Sequence, residues 1–245
     1  MTYVSPATAD VDRKRAESGG DSSILTIAGA TLALGSLGVT ATSVLYALSP
    51  PAATLPAQPF DQALALAGAV AGARTMFAAG TVGIFSDVVM AAGALLIVIE
   101  LARREKGAAA AGWAAIFLSI VVFTFVDAMV GYVLSPVAAM PDGAAAFAGF
   151  KRLFDVLFLL GTIAFGGGAI QALTSDMRSR APIISQSVAV AGGLVGSGGL
   201  LAAAACLAGF PLQQGVGISI GLGSGIFIAI GVQMARAAPD PTENL

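Results

Sequence analysis

Residues 75–102 read TMFAAGTVGIFSDVVMAAGALLIVIELA, an apolar run with Asp87 near its midpoint and Glu100 close to its far end. As a helix it is long enough to cross a hydrocarbon layer of about 30 Å at about 1.5 Å per residue. Helix is required over strand, because an open sheet edge has no partner for its backbone groups in lipid. A barrel would show alternating segments of about ten residues, and this run is far longer.

Working outward, five further runs of the same kind appear, and they predict spans at residues 24–49, 108–134, 150–174, 184–209 and 214–235 beside the one at 75–102. The chain has 245 residues, of which 57% are hydrophobic and 11% charged, against about a quarter charged in soluble domains. Too little polar sequence is left for a soluble domain. The expected fold is an all-α membrane protein, a six-helix transmembrane bundle over residues 24–236.

Residues 1–23 are polar and carry Arg13, Lys14 and Arg15. The run that follows exceeds a signal-peptide core of about 7 to 15 residues, so it reads as an uncleaved anchor behind a disordered tail. A short second tail is expected at 237–245. Arg13, Lys14, Arg15, Arg103, Arg104, Lys106, Arg178, Arg180 and Arg236 fall on one side of a six-span topology; Arg74, Lys151 and Arg152 fall on the other. The positive-inside rule then predicts both termini in the cytoplasm.

Pro50, Pro51, Pro56 and Pro59 end the first helix, since proline lacks an amide donor and clashes with the preceding turn. Residues 60–74 look helical but cannot simply extend the second span, because 60–100 would measure about 60 Å. A separate outer, surface-lying helix is expected there. Residues 135–150, with Pro136, Pro141 and Gly143, read as a second outer loop, and Pro211 marks a minimal third one that makes spans five and six a hairpin.

In lipid, close approach through small residues is the main attraction between helices. Span six carries Gly217, Gly221, Gly225 and Ala229 at every fourth position, and span five carries Gly192, Gly196, Gly199 and Ala203. The two stripes are expected to pack face to face. The runs GGLVGSGG (192–199) and GVGISIG (215–221) lack the strand-then-helix setting of a phosphate loop.

Composition excludes several chemistries. The chain has no histidine, which removes the b-type haem pocket, the usual zinc hydrolase ligands and the Ser-His-Asp relay. The single cysteine, Cys206, forms no internal disulfide or CxxC pair and reads as a small buried apolar residue. Lys14, Lys106 and Lys151 all sit outside the centres of the apolar runs, so no retinal attachment point is expected. A net charge of −2 offers no basic surface for nucleic acid. No cofactor or metal is predicted, although a lipid, quinone or carotenoid between the helices is left open.

The functional signal lies in the intramembrane acids. Asp87 at mid-span costs roughly 2.5 to 3.5 kcal/mol on insertion scales, and at 100° per residue it shares a face with Gly80, Gly83, Ala91 and Ala94. It should therefore point into the bundle. Asp127 and Asp155 lie nearer the outer surface, and Asp155 is four residues after Lys151 and three after Arg152, a spacing that puts all three on one face. Arg74 stands at the outer mouth of span two; Glu100 and Arg103 are expected to reach the opposite interface. Two carboxylates without histidine make a weak metal site.

Two functions follow from these features, the first as the expectation and the second as its alternative. The first is a non-enzymatic accessory or scaffold subunit, packed against itself or another membrane protein through its Gly and Ala surface. The second is a small-solute or proton pathway with Asp87 as the coupling carboxylate, entered through an outer cavity lined by Asp127, Asp155 and Arg152.

The outer segment ending in Arg74, the helix with Gly80, Gly83 and Asp87, the basic exit ARREK (102–106), Pro182 before span five and the closing GIFIAIGVQMAR (225–236) resemble a family of bacterial six-span membrane proteins classed only as a domain of unknown function. The likeness covers most of residues 24–236, although family members often carry aromatic residues where this chain has Ile228 and Ala229. What the resemblance implies is a six-helix bundle in a bacterial inner membrane, with no activity attached.

Overall fold

Long runs of Ala, Leu, Val and Ile, with proline confined to their ends and the segments between them, produce long helices in a computed structural model that describes residues 6–56 and 61–237, with side chains from residue 24 onward. The elements are α1 (Pro6–Ala47), α2 (Gln62–Ala71), α3 (Ala73–Arg103), α4 (Gly107–Met129), α5 (Ala144–Met177), α6 (Gln186–Leu207) and α7 (Gln213–Arg236). Among the described residues, six stretches are long and apolar enough to cross a membrane: Ile24–Ala47, Ala73–Arg103, Gly107–Ala138, Ala144–Met177, Gln186–Leu207 and Gln213–Arg236. The protein is an all-helical, six-span chain.

Three boundaries differ from expectation, each for a local reason. Helix α1 begins at Pro6 instead of following a disordered tail, because no proline interrupts residues 7–49; positions 1–5 of that expected tail, and 238–245 of the second one, lie outside the described residues. Helix α4 runs on through a π-helical turn, Val130–Leu134, into the short turn Ser135–Ala138. Pro136 cannot donate to the carbonyl a turn behind it, but it is tolerated in the first turn of a new segment, so the widened turn lets the helix continue. Helix α5 starts early, at the Ala-rich Ala144, and the outer loop expected at 135–150 shrinks to residues 139–143.

The separate helix expected within residues 60–74 is α2. Asp61 caps it, accepting a hydrogen bond from the Leu64 amide at 3.0 Å. Its buried Ala65 and Ala69 pack with Ala53, Met76 and Leu134, and Ser135 donates to the Ala69 carbonyl at 2.8 Å. Gly72 joins α2 to α3.

The membrane-length helices close a ring in the order α1, α3, α4, α5, α6, α7 and back to α1. Glycines set most of its seams. Gly35 and Gly38 of α1 lie against Met90 and Ser86 of α3; Gly80 meets Gly131; Gly112 meets Gly168 and Ala172; Gly166 meets Gly196; and Gly231 meets Gly29. At each seam, residues rising in one helix face residues falling in the next, so neighbours run antiparallel. Two ends follow: a proximal end, with the turn at 104–106 and the loop at 178–185, and a distal end, with α2, the segment 48–56 that holds the short helical turn Pro51–Thr54, and the loops at 139–143 and 208–212.

The expected pairing of the α6 and α7 stripes is corrected by these contacts. A Cβ at Gly221 or Gly225 would meet nothing, and one at Gly217 would meet only Leu55. The seam instead joins Gly192 to Ile226, Val195 to Gly223 and Gly199 to Ser219, while Gly196 turns to α5. Positions 219, 223 and 226 form the face of α7 toward α6, and the stripe 217, 221, 225 lies beside it.

Candidate functional site: a carboxyl pair in the central cavity

Within the ring lies a partly open cavity of about 470 Å³ lined by residues of all six spans, the exposed Ile218 among them. On its proximal side the interior is filled by an apolar cluster that includes Leu32, Ile97, Trp113, Ile116, Leu173 and Ile230, with Trp113 edge-on to Phe227 at 5.9 Å between centroids. On the distal side Pro51, Thr54 and Leu55 reach the cavity wall, so the segment after α1 forms its roof.

Asp87 lies on the buried face of α3 together with Gly80, Gly83, Ala91 and Ala94. It is 5% exposed, lines the cavity, and its Oδ2 is buried without a hydrogen-bond partner. Asp127 of α4 is its acidic neighbour, and both side chains line the cavity. Gly83 leaves the room Asp127 needs, since a Cβ there would collide with its carboxyl group. Tyr46, near the end of α1, donates its hydroxyl to Asp127 Oδ1 at 2.5 Å.

No Lys or Arg is among the described residues that line the cavity. Two carboxyl groups facing one another away from water need a positive charge to balance them, held as a proton or brought by a bound cation. Around them the wall is largely apolar and aromatic, with Phe123, Phe158, Phe165 and Phe227. Ser224, also on the wall, is bonded to Thr40 at 2.8 Å between hydroxyl oxygens.

Asp155 and Lys151 form a second polar group, above the first. Lys151 is completely buried, forms an ion pair with Asp155 one turn later, and donates to the Leu55 carbonyl at 2.9 Å. Its ammonium also sits 4.8 Å from the centre of the Phe154 ring. This pair ties α5 to the roof segment.

The sequence-predicted residues therefore separate. Asp87 and Asp127 come together. Asp155 is not on the cavity wall, and Arg152 and Arg74 are exposed, so the expected lining by Asp127, Asp155 and Arg152 is corrected to Asp127 alone. Arg152 points away because it is one residue, about 100° of helix, past the buried Lys151. Glu100 is buried and paired with Arg104 at 2.6 Å and Arg103 at 3.2 Å, a closed arrangement at the proximal end and not a pair spread at the interface.

Sequence reasoning missed Tyr46 and the burial of Lys151. A tyrosine near a helix end reads as an interfacial belt residue, and Lys151 was masked by its exposed neighbour Arg152. No family model matches the chain, and comparison with curated proteins and with solved structures finds no match.

Proposed function

We propose that this multi-pass membrane protein provides a pathway for protons or a small cationic solute, with Asp87 as the coupling carboxylate and Asp127 as its partner. The observation that carries the reading is the Asp87 carboxyl group, buried at mid-span on the wall of a central cavity with one oxygen unpartnered. A carboxyl group retained only to fix helix register would be expected to face Ser, Thr or Arg donors, whereas Asp87 faces a second acid. Such intramembrane acids mark ion paths and proton relays by default.

The accessory or scaffold reading relied on a small-residue surface free to meet a partner. Gly29, Gly80, Gly112, Gly131, Gly166, Gly168, Gly196 and Gly231 are used within the ring, which leaves that reading less support. On the count of nine cations against three, we assign both termini to the cytoplasm, and the family resemblance favours a bacterial inner membrane.

The test is flux into proteoliposomes at two pH values, for the wild type and Asp87→Asn. Wild-type flux should depend on pH, and Asp87→Asn should fall to the level of protein-free vesicles. Background-level flux in both, indifferent to pH, would sink the pathway.

A further inference from the structure

The cavity is larger than a proton or a bare metal ion requires. Its volume of about 470 Å³ lies in the range of sites for drug-sized molecules, which are mostly apolar with a few convergent polar groups. Here the acidic groups are together at one place on the wall: Asp87 Oδ2, buried and without a partner, and the Asp127 carboxyl group steadied by Tyr46. The rest of the wall is mostly apolar and uncharged, its polar groups being hydroxyls and the Gln214 amide, and five aromatic side chains line the space: Tyr46, Phe123, Phe158, Phe165 and Phe227. Aromatic faces attract organic cations most strongly where water is excluded.

Resting on the pathway reading, and narrowing it, we propose that the cavity binds a monovalent organic cation with an apolar body, its charge beside Asp87 and Asp127 and its body among the phenylalanines. Charge balance fixes the exchange. An empty cavity keeps the pair neutralised in part by a proton; when a monocation binds, one proton leaves the pair and the net charge of the cavity is unchanged. The groups that govern this step are few: Tyr46 on α1 and Asp127 on α4 face Asp87 of α3, and α5, α6 and α7 bring no titratable side chain to the wall. Acid therefore competes with the cation.

The experiment uses the full chain in nanodiscs, with tetraphenylphosphonium as the cation and triphenylphosphine oxide as a neutral molecule of related shape. The expected result is saturable binding of one tetraphenylphosphonium per chain, with release of about one proton, weakened by acid and not displaced by the oxide. Asp87→Asn and Asp127→Asn should each weaken it at least about tenfold, a change of about 1.4 kcal/mol; helicity and elution volume would show that each variant is folded, and either one suffices for the comparison. Equal binding of the oxide, unaffected by Asp87→Asn, would overturn the proposal in favour of a neutral apolar ligand. Proton flux in proteoliposomes without any tetraphenylphosphonium binding would overturn it while leaving the pathway reading in place; loss of both would remove the two together.

Discussion

Lys151 is completely buried, and its position explains why an ammonium is retained there. It joins two elements at one point: its own helix α5, through Asp155 and the Phe154 ring, and the roof segment, through the Leu55 carbonyl. Removing one member of a buried ion pair leaves the other charge uncompensated, which costs about 3 to 5 kcal/mol, whereas replacing both with apolar groups of similar size is often near neutral. Asp155→Asn should therefore lower the thermal midpoint sharply. The double substitution Lys151→Met with Asp155→Leu should recover most of that loss, with a remainder from the unpaired Leu55 carbonyl. Thermal unfolding of the detergent-solubilised variants measures both. A double variant no more stable than Asp155→Asn would show that the pair does not act as a unit. The carboxyl pair below it obeys a different logic, because Asp87 and Asp127 are both acids and have no side-chain cation on the cavity wall.

At the level of helices, backbone proximity is what distinguishes one seam from another. Gly112 on α4 lies against the backbone of Gly168 and Ala172, and Gly231 on α7 against the backbone of Gly29 and Ala33. A side chain at either has no flexible neighbour to displace, so Gly112→Leu and Gly231→Leu should each destabilise by about 1 to 3 kcal/mol, the usual scale of overpacking. Gly225→Leu, at a position where a Cβ meets nothing, should leave the thermal midpoint nearly unchanged; a loss equal to that of Gly231→Leu would contradict the ring order. This is also the scale at which sequence and structure part. All six spans were legible, because hydrophobic length is a property of each segment alone. The burial of Asp87 was legible too, since Gly80, Gly83, Ala91 and Ala94 mark its face within one helix. The partner of a face was not: Gly196 seats on Gly166 of α5 and not on α7, and that choice depends on rotations of three helices that periodicity does not encode. For the same reason Tyr46 could not be assigned to Asp127, 81 positions away in sequence, nor could Asp127 be separated from Asp155.

Considered as a whole, the molecule is a ring whose first and last spans, α1 and α7, are neighbours. An even number of antiparallel crossings returns the chain to the proximal end, where Arg103, Arg104, Lys106, Arg178, Arg180 and Arg236 collect, while the distal end has Arg74, Lys151 and Arg152. Of those three distal cations, Lys151 is buried against Asp155, which makes the asymmetry of exposed charge greater than the sequence count. Moving that proximal cluster across an energised membrane is opposed at about 2.3 kcal/mol per charge per 100 mV, so the proximal end should remain cytoplasmic. The cavity, roofed by residues 51–55 and floored by the Trp113 cluster, then lies nearer the outer face. Sidedness can be read with two conservative substitutions at exposed loop alanines, Ala139→Cys at the distal end and Ala181→Cys at the proximal end. Cys206, the single native thiol and itself buried, is replaced by alanine so that each variant carries one reporter. With intact spheroplasts and a membrane-impermeant maleimide, position 139 should label at once and position 181 only after permeabilisation. The opposite pattern would invert the protein and turn the roof of the cavity toward the cytoplasm, and with it the direction from which a cation first meets Asp127 and Asp87.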